Sequence, residues 1–163
     1  MGNDLLSTYS WDGTDFSLEG NTLSIVSTAI SITGLTNNLI ALFESSSDEL
    51  RTYNWDGTDW SLIGNQLTIS NASDSALAGQ SSSRVAFIDQ FNDDFSVYDW
   101  DGTNWTLVPN QLTVNVGIPA LAYDGTYTYL CDNVIRAYQF DGDWTQVGNS
   151  LSLPTSGPSL AVI

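Results

Sequence analysis

One phrase recurs along this chain and restricts its fold more than any other feature. It reads Tyr9-Ser10-Trp11-Asp12-Gly13-Thr14-Asp15-Phe16, then Tyr53-Asn54-Trp55-Asp56-Gly57-Thr58-Asp59-Trp60, then Tyr98-Asp99-Trp100-Asp101-Gly102-Thr103-Asn104-Trp105. A fourth copy is shortened to Tyr138-Gln139-Phe140-Asp141-Gly142-Asp143-Trp144. Each copy is followed by a second matching piece: Gly20-Asn21-Thr22-Leu23, Gly64-Asn65-Gln66-Leu67, Pro109-Asn110-Gln111-Leu112 and Gly148-Asn149-Ser150-Leu151. Trp11, Trp55, Trp100 and Phe140 stand 44, 45 and 40 residues apart, and all 6 tryptophans fall inside the copies. Periods of this size mean stacked supersecondary units that bury their apolar faces against one another.

Each copy explains itself as a β-hairpin. Aromatic and polar residues alternate on the way in, Asp-Gly supplies the turn with its positive φ, and alternation resumes on the way out. Two further apolar runs separate successive hairpins, such as Thr28-Ala29-Ile30-Ser31-Ile32 with Leu39-Ile40-Ala41-Leu42-Phe43. Later pairs are Ser75 to Ala78 with Val85 to Ile88, and Ala120 to Tyr123 with Tyr127 to Leu130. Four short strands in about 40 to 45 residues is the size of one β-propeller blade. The fold class expected is therefore all-β: a propeller-like array of four such repeats in a single domain, 1–163, with hairpins near 5–25, 49–69, 94–114 and 134–153. A β-solenoid or a sandwich of duplicated hairpins is the alternative architecture. Counting from the start gives two strands, three units of four, and a last strand at Ser159 to Ile163, one short of the sixteen that four blades need. Unpaired edges attract partner strands, so Leu5, Leu6, Leu160, Ala161, Val162 and Ile163 are the candidate assembly edges.

The Trp-Asp steps at Trp11-Asp12, Trp55-Asp56 and Trp100-Asp101 give the chain a resemblance to the WD-repeat class of β-propellers. The Gly-His pair of that family is absent, since the chain has no histidine, and Phe140 replaces Trp in the fourth copy. The wording Tyr-x-Trp-Asp-Gly-Thr-x-Trp also looks like divergent bacterial or phage propeller repeats. The resemblance implies an architecture and no family function.

Composition narrows the chemistry. Three arginines, Arg51, Arg84 and Arg136, stand against 19 acids in 163 residues, a formal charge of −16. Such a surface repels phosphate backbones, which bind through Lys and Arg, so nucleic acid and anionic membranes are poor partners. No apolar run reaches the length of a bilayer span, and the first residues show no basic segment with an apolar core behind it, so a secretory leader is expected to be absent or already removed. A soluble protein is expected, extracellular or virion-associated rather than cytoplasmic. With no His and no Lys there is no Ser-His-Asp relay and no Schiff base, and with one Cys no zinc site. Paired carboxylates are the remaining catalytic option, yet Asp74 and Asp124 read as turn residues. The recurring turn aspartates lack a calcium-loop pattern. An enzyme is not expected, nor any metal or cofactor. Cys131, in an apolar stretch, reads as a buried thiol.

Two functions survive. The first is a structural or interaction module that forms a homo-oligomer or filament, or binds a protein partner, through its blades and terminal strands. The second is a multivalent carbohydrate-binding propeller, in which Phe16, Trp60, Trp105 and Trp144 stack on sugars while Asp59, Asn104 and Asp143 bond hydroxyls. The same aromatics also suit the space between blades. Arg51 and Arg136 share a repeat position and suit structural pairing with a neighbouring blade, whereas Arg84 has no equivalent.

Overall fold

The computed structural model describes residues 4–25, 30–70, 72, 75–117 and 119–153. Among them are 14 strands and no helix. A two-stranded sheet comes first, β1 (Asp4–Trp11) with β2 (Phe16–Ile25). Three four-stranded sheets follow in sequence: β3 (Ile30–Thr36), β4 (Leu39–Glu44), β5 (Glu49–Trp55) and β6 (Trp60–Thr68); β7 (Ala76–Ser81), β8 (Arg84–Asp89), β9 (Asp94–Trp100) and β10 (Trp105–Thr113); β11 (Ala120–Tyr123), β12 (Thr128–Cys131), β13 (Val134–Phe140) and β14 (Trp144–Ser152). Every pairing is antiparallel between sequence neighbours, so each sheet is a simple meander. The hairpins β1–β2, β5–β6, β9–β10 and β13–β14 each carry one copy of the repeated phrase. The strand expected at Ser159 to Ile163, with the edge residues Leu160, Ala161, Val162 and Ile163, lies outside the described residues, as does Asp74.

The blades are built from their turns. In the first three hairpins the turn aspartate accepts two backbone N–H bonds through one carboxylate oxygen: Asp56 Oδ1 from Thr58 at 2.8 Å and Asp59 at 2.8 Å, and likewise Asp12 and Asp101. Gly57 follows at φ 100°, a conformation that L residues avoid. The Asp side chain therefore closes a four-residue loop by an Asx-type turn. Those bonds hold the Asp12, Asp56 and Asp101 carboxyls below the usual carboxylate range, the backbone donors of Asp15, Asp59 and Asn104 being the largest cause in turn.

First strands gather at one side, with β3 beside β7 and β7 beside β11. There the β3 hydroxyls take the place of a ladder, Ser31 Oγ accepting from Leu77 N at 2.8 Å and Thr33 Oγ1 from Gly79 N at 2.8 Å. Apolar clusters fill the three gaps between successive sheets. Between the second and third blades lie Phe43, Leu50, Val85, Phe87, Tyr98 and Trp105; between the third and fourth, Ile88, Phe95, Val97, Leu130, Tyr138 and Trp144. Burying such side chains contributes about 1.5 to 3 kcal/mol each, so the core of this protein is its set of blade-to-blade joints. Arg51 and Arg136 pair within their own blades, Arg51 with Glu44 and Glu49, Arg136 with Asp132 at 3.6 Å, rather than with a neighbouring blade. The paired residues lie on or beside the same or adjacent strands of one meander. Cys131 is buried, and burial pushes its thiol pKa up.

Candidate functional site

The joints follow a shared pattern. Trp60 Nε1 donates to Thr8 Oγ1 of the preceding sheet at 2.7 Å, and Trp105 Nε1 to Thr52 Oγ1 at 2.8 Å. Thr8 and Thr52 each stand three residues before the motif tryptophan, Trp11 or Trp55. In the next blade that position is Val97, which offers no acceptor, and the buried Trp144 Nε1 finds no hydrogen-bond partner among the described residues. Trp144 stacks instead on Phe95, ring centroids 4.0 Å apart. The second element of the pattern is a glycine bulge in the fourth strand of the preceding blade. At Gly20 and Gly64, with φ 63° and 64°, a Cβ would overlap the next blade's ring, Trp55 or Trp100, and its turn carbonyl, Thr58 or Thr103. The following residue then donates its N–H to that carbonyl, Asn21 to Thr58 O at 3.1 Å and Asn65 to Thr103 O at 2.7 Å.

This pattern places the residues proposed for sugar stacking. Trp105 and Trp144 are buried between blades and Trp60 is half-buried in the first joint, because the preceding sheet covers them. Trp105 and Trp144 offer no ring face to a ligand, so the reading of exposed stacking faces does not hold for that pair. Asn104 Oδ1 accepts from Asn65 Nδ2 across a joint at 2.8 Å, and Asp143 Oδ1 accepts from Trp144 N at 2.9 Å. Asp59 lies half-buried in its turn, its backbone N–H bonded to Asp56. Only Phe16 is open.

Two sites remain. The first is the outward face of β1–β2. Tyr9, Trp11 and Phe16 are 58%, 55% and 72% exposed, whereas Tyr53, Tyr98 and Tyr138, equivalents of Tyr9, are 4% to 6% exposed. Leu5 is exposed and Leu6 packs into the first joint, while β1 pairs with β2 alone among the described residues. Five large apolar groups on a two-stranded sheet, with Leu18 as the fifth, make an interaction patch.

The second site is a cleft of about 440 Å³ between the third and fourth blades, lined by Gln80, Arg84, Asp99, Trp100, Tyr123 and Phe140 among others. Arg84 and Asp99 face each other across β8 and β9 and form a fork, Nε to Oδ1 at 2.6 Å and Nη2 to Oδ2 at 2.8 Å. The guanidinium carbon sits 5.8 Å from the centre of the Phe140 ring. The Asp99 bond outweighs desolvation and raises the Arg84 pKa further, so the guanidinium stays charged. Gln80 Nε2 donates to Thr128 Oγ1 at 2.8 Å, tying the cleft walls together. A fixed donor fork beside a carboxylate, walled by aromatic rings, suits a compact hydroxylated ligand. The repeat motif concealed this site because none of its seven proposed ligand-binding residues lines it. The available signal was Arg84, the one arginine without a repeat equivalent. Among the described residues no three His, Cys, Asp or Glu side chains gather to hold a metal, and no helix is long and apolar enough to cross a membrane.

No protein-family model and no curated protein sequence matches the chain. Solved structures do. A functionally unknown protein from Desulfotomaculum acetoxidans superimposes with TM-score 0.68 at 17% identity, over 91% of this chain and 49% of that one. A protein from Lactobacillus plantarum gives 0.63 at 18%, over 90% and 49%. A mutant Aleuria aurantia lectin in complex with Fucα1-6GlcNAc gives 0.59 at 15%, over 90% and 57%. At these identities the likeness shows the fold, a β-propeller-like array of four-stranded blades. The chain spans about half the length of the structures it matches.

Proposed function

We propose that this chain is a non-enzymatic interaction module that joins a protein partner through the faces of its end blades. One observation carries the reading: the aromatic face of β1–β2 is bare, although its equivalents in the three later blades are covered by the blade before. The cost of leaving it in water is removed when a matching surface covers it. The lack of histidine and lysine supports a binding role over a catalytic one, and the surface rich in Ser, Thr, Asn and Asp fits an extracellular or virion-borne setting. Size-exclusion chromatography with light scattering tests it. The chain is expected to associate as concentration rises, and Trp11→Ser should shift it toward the monomer. A chain that stays monomeric over a wide range and captures no partner would sink the proposal.

The Arg84–Asp99 cleft favours a second reading, a lectin-like site for a small saccharide. A sugar ring presents adjacent hydroxyls to the fork and a C–H face to Trp100, Tyr123 or Phe140. The lectin among the structural neighbours was solved with a fucosylated disaccharide, which makes fucosides the first ligands to try. Arg84→Ala should abolish binding on a glycan array without unfolding the protein. An array on which the wild-type chain is silent rejects this reading.

A further inference from the structure

We infer that the surface covering the bare β1–β2 face is the fourth blade of a second copy of this chain, docked head to tail. The inference rests on the assembly reading and names its partner and register. The first two joints inside the chain each combine two fits: an aromatic tip against the third residue before the motif tryptophan, and a turn seated over a fourth-strand glycine. The first sheet and the fourth blade carry the halves of one more such joint. On the fourth blade, Gly148 holds the bulge conformation of Gly20 and Gly64, φ 72°, but none of the described residues lies within 4 Å of where its Cβ would be. No described residue takes there the place that Trp55 or Trp100 and the following turn take at the first two joints. On the first sheet, the matching Trp11 and Thr14 are exposed.

The tip contact agrees independently. Tryptophan meets threonine at two joints, and at the third Trp144 meets Val97 and leaves its N–H unpaired. At the proposed joint the first sheet presents Phe16, which has no N–H, and the fourth blade presents Ala137, which has no acceptor side chain. An apolar tip meets an apolar seat, so no polar group is orphaned. Leu151 and Val147 beside Ala137 are exposed, as a face awaiting cover would be. The contact is heterologous: each copy offers one face and receives the other, which closes a ring when two copies complete the turn. Since the chain spans about half the length of the structures it matches, two copies joined in this way reach the length of one such structure.

Mixing tests it. Phe16→Asp removes the front face and Ala137→Asp the back face, so each variant alone is expected to be monomeric with an unchanged circular dichroism spectrum. Mixed in equal amounts, they should form a one-to-one pair through the remaining intact joint. A second measurement does not depend on disruption: Phe16→Trp with Ala137→Thr installs the Trp–Thr bond of the other joints. In a double-mutant cycle on the dissociation constant, the pair should tighten the dimer about fivefold beyond the single changes combined. If the wild type associates but neither the mixing nor the cycle shows coupling, this joint is wrong while assembly stands. A monomeric wild type overturns both.

Discussion

The joint between the second and third blades and the joint between the third and fourth have the same backbone plan and opposite chemistry. In the former, Trp105 is tethered to Thr52, and Gly64 lets the Trp100 ring and the Thr103 carbonyl press against the bulge. In the latter, Trp144 has lost its acceptor to Val97, Pro109 replaces the bulge glycine, and the aromatic contact becomes a stack on Phe95. Asn110 adopts the left-handed conformation there, at φ 73°, and its side chain donates to Gly142 O at 2.7 Å. Both joints carry polar contacts, but the buried tryptophan is tethered by a hydrogen bond in one and held by ring stacking in the other, which also has a polar cleft. Blade packing thus fixes where the sheets lie, while side chains at equivalent positions decide whether a joint is closed or can admit a ligand.

The largest effect is expected from breaking the tighter joint at its bulge. Gly64→Val would drive a Cβ into Trp100 and Thr103 at a φ that valine resists, and should cost on the order of 3 kcal/mol or more in urea unfolding of the dissociated chain. Gly148→Val carries the backbone strain alone, so about 1 to 2 kcal/mol is expected under the same conditions. Equal losses would show that the close approach at Gly64 is unimportant. The tryptophan contacts give the next effect, and with opposite signs. Thr52→Val orphans the Trp105 N–H and should destabilise by about 1 to 3 kcal/mol, whereas Val97→Thr gives Trp144 an acceptor and should gain about 1 kcal/mol, with the indole N–H resonance of Trp144 moving downfield. A Val97→Thr protein with an unmoved Trp144 resonance would refute the account of that orphan.

Acid should produce the smallest change and bear on both joints alike. The turn carboxyls of Asp12, Asp56, Asp101 and Asp124 titrate below their ordinary value of 3.8 in the folded chain, Asp124 chiefly through the Tyr127 backbone donor. A folded-state pKa lower than the unfolded one adds stability above the unfolded pKa, and that stability is lost as pH falls through the folded value. The melting temperature should therefore hold from neutral pH to about 5 and decline below about 4. Asp56→Asn should flatten part of that decline.

Much of this architecture was legible in the sequence because the hairpin phrase carries its own turn chemistry. The hairpin expected near 49–69 is β5 and β6, Glu49–Trp55 and Trp60–Thr68, and the one near 134–153 is β13 and β14. Local alternation and an Asp-Gly step suffice for that much. Which face of a hairpin meets its neighbour is a property of two units, and so Trp105 and Trp144, proposed as ligand platforms, turned out to be covered. The cleft was hidden for a related reason. Arg84 and Asp99 are 15 residues apart and share no motif, yet the β8–β9 register sets them opposite each other. Phe140 reaches the same place only because the fourth blade lies against the third.

The glycine bulge and the Trp-Asp turn have a consequence for how such a chain grows. Every unit carries one socket and one plug, so copying a stretch of one period inserts both together and leaves the reading of every older joint intact. A gene of this kind lengthens or shortens by whole units without redesign, and each unit is then free to differ at its own seam, as the third does with Val97 where the first two units have Thr8 and Thr52. Selection on a new binding surface can act on one seam while the remaining ones keep the molecule folded.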